Sequence, residues 1–213
     1  MRIDPAGWPF VLGGLGVAIL AWLLGGAVYG LVFTALTAFF LFFFRDPDRV
    51  NTAPDRAVVS PADGRVMVAG SPTGEATPPG NWRQITIFLS PMDVHVNRIP
   101  VSGRVTRVEY HPGRFLPAYR ADAGDLNEHT EVTIDHGGQL IVVRQIVGIL
   151  ARRIVCRAKE GDLVKAGGRF GVMKFGSRMD IFVPMGSTIE TTVGDKVVGG
   201  VTVIATLPDS GHS

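Results

Sequence analysis

Apolar positions follow two regimes along the chain. From Pro5 to Phe44 no charged side chain interrupts the sequence, and seven of its twelve Phe (Phe10, Phe33, Phe39, Phe40, Phe42, Phe43 and Phe44) lie in that run. As one helix, residues 9–44 would reach ~54 Å at ~1.5 Å per residue, well past a ~30 Å hydrocarbon layer. Gly25-Gly26 and Gly30 interrupt the run, so the pattern predicts a helical hairpin with arms near 9–24 and 31–44, a single long tilted helix being the alternative. A cleaved signal peptide fits less well: the apolar part is too long, only Arg2 precedes it, and no small-residue cleavage site comes before Arg45. Arg2 and the group Arg45, Arg49 and Arg56 would fall on one side of the hairpin, which the preference of Lys and Arg for cytoplasmic flanks assigns to the cytoplasm. Trp8 and Tyr29 suit the membrane interface.

From Ala57 onward the regime changes to short runs rich in Val, Ile and Thr, punctuated by Gly, Pro and Asp. Segments 65–69, 84–89, 105–110, 130–135, 139–146, 154–158, 170–174, 179–183 and 201–206 read as strands. No long amphipathic stretch competes with them, so the expectation is a mainly β, compact barrel-like domain over 49–213, preceded by a helical membrane anchor over 1–48. Two echoes run through it. Pro61-Ala-Asp-Gly-Arg-Val66 returns as Pro100-Val-Ser-Gly-Arg-Val105, and Gly161-Asp-Leu-Val-Lys-Ala-Gly167 returns loosely as Gly194-Asp-Lys-Val-Val-Gly199. The second pair matches the turn-then-strand punctuation of lipoyl- and biotinyl-type domains, which makes a hammerhead arrangement of half-barrels the expected form; common β-turn chemistry would produce the same echoes. Segments 71–82 and 113–127 read as loops, the latter long enough for a substrate-facing lid.

Composition narrows the class. The chain has 213 residues, a formal charge of +2 and a single Cys, with a mean hydropathy of +0.25. The uncharged run excludes a fully soluble globule, one Cys excludes a disulfide framework, and the even charge balance does not point to nucleic acid. The five His lack metal-ligand spacing, so no metal is expected. Cys156, inside a predicted strand, reads as a buried thiol.

Taken singly, the candidate reactive residues are ambiguous. His95 follows an apolar strand with Asp93 two residues before it, a pairing that serves either a general base or a structural imidazole bonded to a carbonyl. Asp63 precedes Gly64 and fits a turn equally well. Gly176-Ser177 joins two strands, and a Ser hydroxyl beside a Gly carbonyl is the arrangement that an N-to-O acyl shift requires.

Four segments in order, Phe43-Phe-Arg-Asp-Pro-Asp-Arg49, Ser60-Pro-Ala-Asp-Gly-Arg65, Pro91-Met-Asp-Val-His-Val-Asn-Arg98 and Lys174-Phe-Gly-Ser-Arg178, resemble those of phosphatidylserine decarboxylase in its short bacterial and archaeal form, and Asn127-Glu128 looks like a further polar motif of that family. The resemblance spans essentially the whole chain. It implies a membrane-bound proenzyme that cuts itself at Gly176–Ser177 into a β chain, 1–176, and an α chain, 177–213, which stay together as a heterodimer. Ser177 would become a pyruvoyl cofactor that forms a Schiff base with phosphatidylserine, releasing carbon dioxide and phosphatidylethanolamine. The family's processing residues map onto Ser177 as nucleophile, Gly176 as scissile carbonyl, His95 as base and Asp63 as the group orienting that base. Longer members carry Asp-x-His-x-x-His, whereas here position 98 is Arg, which leaves both imidazole tasks to His95. Arg98, Arg114 and Arg178 are the expected partners of the lipid phosphate or carboxylate. The competing readings are decarboxylation of another serine phospholipid such as archaetidylserine, and a tethered β module without catalysis.

Overall fold

The computed structural model describes residues 2–73, 77–149, 153–174 and 177–209, and they form two compact units that divide between Asp48 and Arg49. The first unit holds β1 (Arg2–Ile3), helix α1 (Trp8–Leu20), helix α2 (Ala27–Phe43) and β2 (Arg45–Asp46). β1 and β2 pair antiparallel, and the chain reverses at Gly26, whose φ of 79° suits only glycine. The second arm begins at Ala27, earlier than the break expected at Gly30. That glycine serves close packing instead: a Cβ there would lie 2.3 Å from the Trp22 ring. Gly14 likewise leaves room for Thr37. Thr34 ties the arms, since its hydroxyl donates to the Gly30 carbonyl at 2.7 Å and accepts from the Trp22 indole at 3.2 Å. Leu12, Leu23, Leu24, Val28 and Leu31 stay exposed, and the helical stretch Pro5–Gly25 is long and apolar enough to cross a bilayer.

The second unit is mainly β, with β3 (Ala57–Val59), β4 (Gly64–Gly70), β5 (Trp82–Leu89), β6 (Val96–Arg98), β7 (Gly103–His111), the short helix α3 (Ala123–Leu126), β8 (His129–His136), β9 (Gln139–Ile146), β10 (Ile154–Cys156), β11 (Leu163–Val164), β12 (Arg169–Met173), β13 (Ser177–Pro184), β14 (Thr188–Ile189), β15 (Lys196–Val197) and β16 (Val203–Thr206). Eight strands form one antiparallel sheet in the order β11-β7-β8-β9-β13-β5-β4-β15, and two three-stranded sheets, β10-β12-β6 and β14-β16-β3, complete the unit. One core joins all three: Ile85, Ile87, Ile141, Val143, Met179 and Ile181 from the large sheet pack with Phe170 and Met173 of one small sheet and Val58, Ile204 and Ala205 of the other.

The echoes in the sequence are an internal duplication. Strands β3-β4-β5 repeat as β6-β7-β8, and β13 to β16 repeat as β9 to β12. The matches extend to irregularities. β4 against β5 shifts register between Val66 and Val68, and β7 against β8 shifts between Val105 and Arg107. β16 against β3 shifts between Val203 and Ala205, and β12 against β6 between Arg169 and Gly171. Hydrogen bonds repeat as well: Val66 N to Asp195 O is matched by Val105 N to Asp162 O, both at 2.9 Å, and Arg98 N to Pro61 O by Val59 N to Pro100 O, both at 2.8 Å. The halves meet where β9 pairs with β13, with Ile181 opposite its own counterpart Val143. One half, 96–173, is continuous in sequence. The other is made of two pieces, 57–89 and 177–207, so the continuous half is inserted between Leu89 and Ser177, which are paired neighbours on β5 and β13.

The turn glycines at the echoes are required by this crossing. A Cβ on Gly103 would sit 2.2 Å from the Asp135 carbonyl oxygen, and one on Gly64 would sit 2.2 Å from that of Phe88. Gly103→Ala, remote from Ser177, is expected to destabilise the unit by about 2 kcal/mol, seen as a fall of about 4–8 °C in the thermal unfolding midpoint in detergent.

Candidate active site

Ser177 opens β13, the strand on which the two-piece half resumes, and is fully buried between Leu89 of β5 and the end of β9. Strand alternation turns its side chain to the same inner face as Met179 and Ile181. Its Oγ has no hydrogen-bond partner among the described residues. An inward hydroxyl with no partner is costly to bury, so its presence at this junction calls for a chemical reason. Gly176 lies outside the described residues.

The second candidate is His95. It directly precedes β6, is fully buried, and its carbonyl accepts from Met173 N at 3.2 Å. The end of β12 is thereby tied to His95 four residues before Ser177. The His95 Nδ1 lies 2.9 Å from the Asp93 carbonyl oxygen, while the Asp93 carboxylate accepts from Ser90 N at 2.8 Å.

Asp63 is placed elsewhere than expected. Arg49 grips its carboxylate with both Nη atoms, at 2.6 and 2.8 Å, and Gly199 N donates to Oδ1 at 2.8 Å. The Asp93 carbonyl, rather than Asp63, holds the His95 Nδ1. The duplication explains why: Ser102, the counterpart of Asp63, accepts from Ala166 N at 3.1 Å just as Asp63 accepts from Gly199 N, so the position is first a turn brace in both halves.

Two of the three arginines expected at the substrate are spent on protein. Arg178 is buried and bidentate to Asp180 at 2.7 and 2.9 Å, and it donates to the carbonyls of Arg120 and Ala121, pinning the 112–127 loop to the outer face of the sheet. Arg98 is buried and donates to the Gly167 carbonyl at 2.9 Å. Arg114 alone of the three is exposed, on that loop. Asn127 clamps the loop base, accepting from Leu116 N and donating to the carbonyls of Leu116 and Val147.

Sequence reasoning missed Asn97 and Gln145. Both are fully buried, and the Gln145 amide donates to Asn97 Oδ1 at 2.8 Å. Aligning the Gly-Arg-Val echoes would have exposed Asn97, which falls opposite Val58; the match of Gln145 with Val183 is visible only in the strand registers. The Cys156 thiol, half-buried, is pushed up in pKa by desolvation and stays protonated at neutral pH. Among the described residues no group of His, Cys, Asp and Glu is arranged for a metal ion.

Comparison with known proteins comes to one answer. The family model described as phosphatidylserine decarboxylase matches residues 36–205. A phosphatidylserine decarboxylase proenzyme of Granulibacter bethesdensis is 44% identical, over 95% of this chain and 84% of its own length. Those of Symbiobacterium thermophilum and Anaplasma phagocytophilum are 43% and 41% identical, covering 95% and 97% of this chain and 94% and 91% of theirs.

Arg49→Met leaves the largely buried Asp63 carboxylate without its countercharge, and a loss of about 3 kcal/mol in unfolding free energy is expected from denaturant titration. His129, stacked on His111 at 4.6 Å between ring centres, is held below the ordinary imidazole pKa by burial, with Arg144 and His111 adding to the shift. As pH falls past about 6.5 the unfolded chain takes up a proton that the folded chain refuses. Stability therefore drops between about pH 7 and 5, and His129→Gln should flatten that part of the melting-temperature profile.

Proposed function

Because the chain belongs to the phosphatidylserine decarboxylase family and is a decarboxylase, we propose that it converts phosphatidylserine to phosphatidylethanolamine at a membrane surface, using a pyruvoyl group that it makes from Ser177. The observation that carries this reading is the buried Ser177 Oγ, unpartnered among the described residues, at the strand start where the interrupted half resumes. The residues present fit such a group. Ser177 is a small side chain on the inner face, its strand is held on both sides by β5 and β9, and the neighbouring Met179 and Leu89 are fully buried, so bulk water is kept from a reactive carbonyl there.

Processing would begin with His95 taking the Ser177 hydroxyl proton as Oγ attacks the Gly176 carbonyl carbon. The peptide C–N bond breaks and an ester forms. Loss of the Cα proton with cleavage of the Cβ–Oγ bond would release the 176 carboxylate and leave a Cα=Cβ double bond, and addition of water at Cα would then release the nitrogen as ammonia and leave a ketone. When present, the pyruvoyl group supplies an electron sink for the carbon–carboxylate bond. His95, with Nδ1 against the Asp93 carbonyl, would hold and return a proton. The Asp63–Arg49 pair keeps the neighbouring turn in place. Arg114, exposed on the loop, would meet the lipid phosphate, and the apolar hairpin would hold the protein in the bilayer with its catalytic unit on the cytoplasmic side.

The two chains would remain together without a peptide link. β13 pairs with β5 and β9, β15 with β4, and β16 with β3, so the small chain would share four strand pairings with the large one.

The purified protein should separate in denaturant into a chain ending at residue 176 and one starting at 177 with a blocked N-terminus, while migrating as one species in native conditions. Ser177→Ala should stay a single chain and lose decarboxylation; a cut or active Ser177→Ala protein overturns the mechanism. His95→Ala is expected to remain uncut, and normal cutting would assign the base elsewhere.

A further inference from the structure

The duplication supplies an internal control for every buried position. Where one half has Val58, Val183 and Ala205, the other has Asn97, Gln145 and Gly171, on matching strands in matching register. All of these positions in β3, β6, β9 and β13 are buried. The fold is therefore built without these amides in one half, and the amides of the other are there for something else. Burying an amide with unspent hydrogen-bonding atoms costs free energy that a Val would not.

Two such atoms are present. Gln145 Nε2 donates to Asn97 Oδ1, which leaves the Asn97 Nδ2 donor and the Gln145 Oε1 acceptor without partners among the described residues. Gly171 makes room for the pair, since a Cβ there would lie 2.5 Å from Gln145 Nε2. Their placement points to Ser177. Gln145 is directly opposite Met179 across the β9–β13 ladder, so Ser177, the next inward residue of β13, is its diagonal neighbour at about 7 Å between Cβ atoms. His95 shares with Asn97 one side of the extended segment entering β6.

One unspent donor beside one unspent acceptor complements a group carrying both a carboxylate and an amine. Arg98 and Arg178 are committed to protein partners, and a neutral amide has a chemical advantage over either. A guanidinium would bind the carboxylate most strongly before reaction and lose that interaction as carbon dioxide leaves, which raises the barrier. We infer that Asn97 and Gln145 form the subsite for the serine end of the lipid headgroup, with Asn97 Nδ2 donating to the carboxylate, Gln145 Oε1 accepting from the amine, and the bond between the two side chains fixing both. The inference rests on the proposed pyruvoyl reaction at Ser177.

Asn97→Val and Gln145→Val copy the other half, so the fold tolerates them by construction. In mixed micelles with phosphatidylserine, both proteins should be cut normally at 176/177 and show a KM raised at least tenfold, with kcat changed by less than threefold. Inhibition by phosphatidylethanolamine, which lacks the carboxylate, should be unchanged for Asn97→Val. Asn97→Asp sets a carboxylate against a carboxylate and should be worse than Asn97→Val. An unaltered KM, or parallel weakening of phosphatidylserine and phosphatidylethanolamine in Asn97→Val, overturns the subsite. Loss of cutting in these variants also overturns it, by moving the pair to processing. An uncut, inactive parent protein would instead sink the pyruvoyl reading itself.

Discussion

The pairing of β9 with β13 is the contact on which the catalytic unit depends. It is the seam between two copies of one fold, with Ile181 opposite Val143, and it closes over a shared core. Because antiparallel strands run past each other, the seam sets the start of β13 beside the end of β9. Ser177 is thus delivered to the interior by the same ladder that holds the halves together. The insertion of one half between Leu89 and Ser177 follows from this seam: in the continuous half the matching strands, β8 and β9, are joined by the tight Gly137-Gly138 turn, with φ of 60° and 89°, whereas in the other half the matching residues adjoin but the chain makes a long excursion between them.

A duplicated fold separates what architecture needs from what chemistry needs. Positions that agree between halves, such as Gly64 with Gly103 and the Asp63 and Ser102 braces, are explained by turns and close approach. Positions that disagree concentrate on one side of the seam: His95 stands where the other half has Arg56, and Asn97 where it has Val58. The carbonyls of His95 and Arg56 accept the same bond, from Met173 N and Leu207 N, so the backbones match while the side chains differ. The buried imidazole and amides of this set all lie in one half.

Much of the fold was legible in the sequence, because period-two apolar runs and glycine punctuation are local signals. The long strands β5, β8 and β9 lie where alternation put them, within two residues. Of the two- and three-residue strands in this unit, β10 falls within the expected segment 154–158, while β3, β6, β11, β14 and β15 were not read; they are too short to show a period and are fixed by partners distant in sequence. The hairpin was read with its second arm starting late, since Gly30 signals a break in sequence but fills a contact with Trp22 in space. At the site, Ser177 and His95 stood out through their motifs. Asp63 was assigned to the imidazole because the sequence does not say that Arg49 would claim it, and that depends on a contact with the backbone of Gly199. Arg178 looked available from its position beside Ser177 and is instead committed to Asp180 two residues on, a pairing visible only once both are known to share the outer face of β13.

The two-piece half has a further consequence for the life of the protein. An intact chain folds as a unimolecular event, with loop closure bringing residues 57–89 to 177–207. If the chain is cut as proposed, the same closure becomes an encounter between separate molecules, and its cost then depends on concentration. A processed copy that unfolds has no tether by which to recover the β13 strand, and its persistence is governed by the rate of opening rather than by an equilibrium. Burial of Ser177 suits that order under the proposed processing, since the hydroxyl reaches the interior only once β13 has joined the sheet. On the proposed processing, folding would come first and the cut would make it a commitment.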